Sequence, residues 1–120
     1  MTDEQKRVAL RGEIWFVELP TDPPGKGRRP VVIVSSDGRN KNLRADTVLV
    51  VPLTTTLKEV PTHVYLTPGE TGLQEPSCIR AEDITVVRKA TLQEPRSKLR
   101  TLSHSKICQI ADAVRTAMAC

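Results

Sequence analysis

Aromatic residues are nearly missing from this chain: Trp15, Phe16 and Tyr65 are the only three among 120. A platform on which successive bases stack needs aromatics in series, so an RRM-like sheet or a non-specific single-strand binder is disfavoured. A polyanion bound here would be held by charge, hydrogen bonds and pocket shape. Cysteine is equally sparse. Cys78, Cys108 and Cys120 are odd in number, widely spaced and without a C-x-x-C pair. That pattern supports neither a disulfide framework nor a zinc site, and free thiols in a reducing cytosol are expected. His63 and His104 lie far apart and away from the cysteines in sequence, so no metal or other cofactor is expected. His63 falls in the alternating run Thr62-His63-Val64-Tyr65-Leu66, where a partly exposed strand position is the reading. No apolar run approaches a membrane span, and the N-terminus has no signal-peptide core. A cytoplasmic protein with no membrane partner is expected.

What is present is β-rich. A polar tail over 1–10, frayed or with one helical turn, precedes a single domain over 11–120. Short apolar runs at 13–19, 31–35, 47–53, 62–66, 77–80 and 84–88 read as strands, bounded by Pro and Gly. The segment 20–27 holds Pro20, Pro23, Pro24, Gly25 and Gly27, which no regular element tolerates. Residues 39–44 read as one helical turn, and Pro68-Gly69 as the stop after the fourth strand. From Ser103, a reasonable N-cap, the period changes: Ile107, Ile110, Ala111, Val114, Ala117 and Met118 share one helix face. The fold class expected is mainly β with a C-terminal helix, a small curled antiparallel sheet or barrel.

The most informative stretch runs from Gly25 to Thr56. Pro30 cannot donate to a ladder and fits a strand start, which puts Arg29 at the mouth of one strand and Thr54 at the exit of the next. Paired antiparallel, those ends lie side by side and form a plausible anion pocket. The net charge of +4 is a mild bias toward polyanions. Lys26, Arg28, Arg29, Arg39, Lys41 and Arg44 cluster around this segment and could neutralise a phosphate backbone. In Arg80-Ala81-Glu82, an extended chain would set a guanidinium and a carboxylate on one face; a surface ion pair is the alternative.

These residues resemble the MazF/PemK (Kid-like) toxins of bacterial toxin–antitoxin systems, over residues 11–118. Arg11-Gly12-Glu13-Ile14-Trp15 resembles the opening R-G-[DE]-[IV]-W. Arg28-Arg29-Pro30-Val31-Val32-Ile33 resembles the R-P-[VA]-[VL]-[IV] strand, and Val51-Pro52-Leu53-Thr54-Thr55 resembles V-P-[VLC]-T-[ST]. Gly72-Leu73 and Ile79-Arg80-Ala81-Glu82-Asp83-Ile84 resemble G-[LV] and V-x-x-[DE]-Q-[IV]. Each motif is weak alone; together, in order, they are a strong signal. Two departures stand out. Thr21-Asp22-Pro23-Pro24-Gly25-Lys26-Gly27 replaces a loop that usually carries G-[SH]-E-Q, and Asp83 stands where Gln is usual.

The resemblance implies an SH3-like barrel of the CcdB/PemK type, a homodimer, and a metal-independent, sequence-specific endoribonuclease acting on single-stranded RNA. Its products would be a 2′,3′-cyclic phosphate and a 5′-hydroxyl. It also implies inhibition by a cognate antitoxin whose acidic tail fills the RNA groove. The catalytic positions it transfers are Arg29, Thr54, Arg80 and Glu82. Arg29 stays protonated and would grip the non-bridging oxygens, Thr54 would add a hydroxyl donor, and Glu82 oriented by Arg80 would serve as base. Lys26, Arg28, Ser36, Arg39 and Thr55 are the expected RNA contacts. The alternatives are a non-enzymatic gyrase-poisoning toxin resembling CcdB, and a small basic barrel that only binds RNA.

Overall fold

The computed structural model describes residues 7–119. Expectations for the first six residues and for Cys120 lie outside that range. Residues 7–10 contain no helical turn, and Ala9 is buried in the core, so the end of the expected tail is tied down.

Six antiparallel strands form one sheet: β1 (Ile14–Val17), β2 (Arg29–Ile33), β3 (Thr47–Thr54), β4 (His63–Leu66), β5 (Ser77–Arg80) and β6 (Thr85–Arg88). The ladder order is β1-β2-β3-β5-β4, with β6 pairing to β3. Its fold class is the expected one, mainly β with a C-terminal helix. The ladders do not close into a barrel: among the described residues β1 and β4, the two ends of the path, do not pair with each other, and β3 changes partners along its length. Its first half lies against β6, Thr47 opposite Arg88, and its last residues against β5, Thr54 opposite Cys78.

The apolar runs at β2 and β3 are unbroken because both faces are covered. Val31, Ile33, Val48 and Val50 enter one core with Trp15, Val17 and Leu92. Val32, Val51 and Leu53 enter another with Ile79, Leu102, Ile110 and Ala113. A strand buried on both sides reads as a hydrophobic run, not an alternation. Helix α3 (His104–Met118) closes the second core, and the Ser103 side chain caps it by accepting from Lys106 N–H. It packs against β4 and the 3-10 turn Ala81–Asp83.

The Arg11-Gly12-Glu13-Ile14-Trp15 motif proves architectural. Glu13 is buried and accepts from Leu10 N–H at 2.8 Å and Trp15 Nε1–H at 2.9 Å. Gly12 has φ +89°, and a Cβ there would sit 2.5 Å from Ile107 Cδ1. Only glycine lets α3 approach this turn so closely. The expected helical turn at 39–44 is α1 (Asp37–Lys41), capped by Ser36. Where sequence reading placed only a strand stop, α2 (Pro68–Thr71) forms, with Thr67 and Glu70 making a reciprocal capping box.

Candidate active site

The β2–β3 register pairs Val31 with Pro52, so two positions further along Arg29 comes opposite Thr54. Both lie on the face of Val31 and Val50, since alternate strand residues share a face. They line one cleft of about 450 Å³ with Phe16, Lys26, Pro30, Leu53, Thr55, Leu73, Gln74, Glu75 and Ser77. A second cleft of about 440 Å³ opens on the other side of Arg29, lined by Thr21, Asp22, Pro52, Glu82, Asp83 and Thr85 among others. Arg29 is the residue common to both walls.

The Arg29 guanidinium is held in place. Nη2 donates to the Leu53 carbonyl at 2.9 Å, and Nη1 donates to Asp22 Oδ1 at 3.2 Å. Its side chain is 21% exposed and that of Asp22 13%, so this pair is shielded from solvent screening. Asp22 belongs to the Pro-rich loop that departs from the family pattern, and sequence reading did not single it out. Its other oxygen, Oδ2, is buried and has no hydrogen-bond partner among the described residues. Thr54 Oγ1 accepts from Thr56 N–H at 3.1 Å, which leaves the hydroxyl proton free to donate.

Arg80 and Glu82 are brought together, but not as expected. Glu82 sits on the 3-10 turn, not in an extended strand; the turn still sets Arg80 Nη2 3.6 Å from Glu82 Oε2. Arg80 Nε also lies 2.8 Å from Asp83 Oδ2. Burial pushes the Glu82 carboxyl up, yet hydrogen bonds from His63, its own backbone and Thr62, with the charge interaction from His63, outweigh it. The pKa falls from 4.5 to about 2.

His63 is a partly exposed residue of β4, as expected, but its ring is not what is exposed: the side chain is only 3% exposed and lies 3.0 Å from Glu82 Oε2. The register sets His63 opposite Arg80, and Arg80 leads directly into the turn that carries Glu82. Nothing local in the sequence signals that adjacency.

The expected RNA contacts divide. Lys26 and Thr55 line the cleft with Arg29 and Thr54. Arg28 stacks over Phe16, 4.9 Å from the ring centroid, and donates to Gln93 at the cleft's edge. Ser36 and Arg39 lie elsewhere: Ser36 caps α1, and Arg39 Nη2 donates to Thr47 Oγ1 at 2.8 Å. Thr47 and Thr54 are the two ends of β3, so Arg39, and Lys41 beside it on α1, do not flank the Arg29 mouth. Among the described residues no group of His, Cys, Asp and Glu could hold a metal ion, and Cys78 and Cys108 are free thiols.

A family model of the PemK-like, MazF-like toxins of type II toxin–antitoxin systems matches residues 10–118. The chain is 32% identical over 101 residues to a probable endoribonuclease MazF5 of Mycobacterium tuberculosis, covering 84% of this chain and 87% of that protein. It is 33% identical over 108 residues to an endoribonuclease MazF of Staphylococcus epidermidis, covering 87% and 86%. A solved mycobacterial endoribonuclease in complex with its cognate antitoxin superposes with a TM-score of 0.72 at 28% identity, over 91% of this chain and 93% of that one.

Proposed function

The chain belongs to the PemK-like, MazF-like toxin family of type II toxin–antitoxin systems, and from that membership and the Arg29 clefts we propose how it works. It is an endoribonuclease toxin that cleaves single-stranded RNA and is neutralised by a cognate antitoxin. We further propose that it acts in the cytoplasm, as a homodimer of single domains spanning 11–120. The observation that carries the mechanism is the placement of Arg29, a fixed cation in the wall between a Thr54 cleft and a Glu82 cleft.

A phosphodiester seated against Arg29 meets donors on both sides of its charged oxygens. The ribose 2′-oxygen attacks phosphorus as Glu82 takes its proton, and the bond to the 5′-oxygen breaks. The leaving oxygen is protonated from solvent, with Arg80 steadying charge on that side. The products are a 2′,3′-cyclic phosphate and a 5′-hydroxyl. Arg29 grips the non-bridging oxygens and Thr54 donates to the same phosphate; such preorganised donors supply a large part of catalysis. With a pKa near 2, Glu82 is ionised throughout the working range. It therefore serves as an always-available, oriented acceptor, at the cost of weak intrinsic basicity.

No step calls for a metal. Incubating the purified protein with a long RNA and excess chelator is expected to give discrete cuts ending in cyclic phosphate. Intact RNA under those conditions, or cuts that persist unchanged in Arg29→Ala, would overturn the reading.

A further inference from the structure

We propose that His63 is a positioning residue for Glu82: its buried imidazole, backed by the Cys78 thiol, fixes the carboxylate at the Arg29 cleft. The inference rests on the endoribonuclease reading above. Both ring nitrogens are engaged, Nε2 at 3.0 Å from Glu82 Oε2 and Nδ1 at 3.6 Å from Cys78 Sγ. His63 lies on the edge strand β4, yet only 3% of its side chain is exposed, and an imidazole so covered is tolerated only when both polar edges are satisfied. The Cys78 thiol also lies 3.5 Å from the Thr56 carbonyl, to which it can donate, so the proton on Nε2 is fixed from the other side: an ionised Glu82 carboxylate can only accept, and Nε2–H donates to it. Cys78 is itself placed by the ladders, opposite Thr54 of β3 and Tyr65 of β4.

Glu82 has the opposite character. Its side chain is 38% exposed, on a three-residue turn. A glutamate so placed samples many rotamers unless something rigid confines it. The groups that face it are His63 from β4, Arg80 from β5, Asp83 on its own turn, and Arg29 and Asp22 across the cleft. The α3 residues packed in the core with Ala81 of that turn, Ile110 and Ala113, carry no charge. Arg80 divides its charge between two carboxylates, whereas His63 serves Glu82 alone among the acidic groups.

Steady-state cleavage of a short fluorogenic RNA tests the proposal. His63→Leu is expected to lower kcat about 10-fold with KM unchanged within about twofold, since misplacing a reacting group costs rate and not binding. His63→Gln, whose amide donates from near the Nε2 position, is expected to recover to within about threefold of the parent. In His63→Leu the acidic limb of kcat moves up toward the ordinary carboxylate value of 4.5, and the parent shows no such limb there. Equal impairment of the two variants, a change in KM alone, or parent-like kcat in His63→Leu overturns the proposal. Arg29-dependent cleavage by the parent would then leave the nuclease reading standing, while a parent that spares RNA overturns both. Should His63→Leu not fold, long-range ¹H–¹⁵N correlation on the parent decides. A proton on Nε2 is expected at neutral pH, and one on Nδ1 alone refutes the arrangement.

Discussion

Arg29 is the residue on which charge, geometry and family membership converge. Its guanidinium is oriented before RNA arrives, by the Leu53 carbonyl and by Asp22. Arg29→Ala is expected to lower kcat by about 10²–10³, the usual cost of losing one preorganised donor. Arg29→Lys should recover little, because an ammonium lacks the planar fork; single-turnover cleavage measures both. Asp22 holds the arginine but also competes with phosphate for Nη1. Asp22→Asn should keep the side-chain shape while removing a negative charge from the cleft. Binding of a non-cleavable RNA analogue is then expected to tighten about threefold at low salt, with the gain shrinking as salt screens the site. Glu82 leaves a signature in stability as well. Its folded pKa of about 2 lies below the free value of 4.5, so its ionised form contributes stability above pH 4.5 that is lost as pH falls toward 2. Glu82→Gln should flatten the fall of Tm across that window, measured by calorimetry.

At the scale of elements, β2, β3 and α3 were legible because each obeys a local rule. Pro30 stands at the second residue of β2, where a missing N–H is tolerated. Unbroken Val and Ile runs marked strands covered on both faces, and the change of period at Ser103 marked the helix. What escaped reading depends on partners distant in sequence. His63 is partly exposed, as alternation suggests, yet its ring meets Glu82, 19 residues away, and Cys78, 15 residues away. The Asp22–Arg29 pair depends on how a Pro-rich loop turns, and single-residue φ preferences do not fix that path. Arg80 and Glu82 do meet, but through a 3-10 turn and not the extended chain that their spacing suggests. The helix α2 signal, Thr67 followed by Glu70, was present but hidden behind Pro68-Gly69, which also reads as a strand stop. The helix seat is testable at Gly12. Gly12→Ala adds a methyl group into Ile107 at a positive φ, and overpacking of this kind costs about 1–3 kcal/mol. Urea unfolding should show that loss, with kcat little changed because Gly12 lines neither Arg29 cleft.

For the whole molecule, the question is what covers the outer apolar face of α3. Val114, Ile107, Ala111 and Met118 line an apolar hollow of about 340 Å³ with Val32, Val34, Leu49 and Ile84, and Met118 is 71% exposed. A second copy of the chain is the occupant our dimer proposal requires. Ile84 belongs both to this hollow and to the Glu82 cleft. A copy seated here would therefore reach the rim of the Glu82 cleft and, on the proposed reading, lengthen the surface that an RNA strand follows. Arg11 and Arg115 also line the hollow; Val114→Asp replaces an apolar contact with a charge there, and desolvating that charge opposes association. Sedimentation at micromolar concentration is expected to show a dimer for the parent and a monomer for Val114→Asp. The variant's KM for a long RNA should rise while single-turnover cleavage of a short one changes little, because Arg29, Thr54 and Glu82 come from one chain. A parent that sediments as a monomer would remove the second copy from the argument and leave the catalytic clefts as they stand.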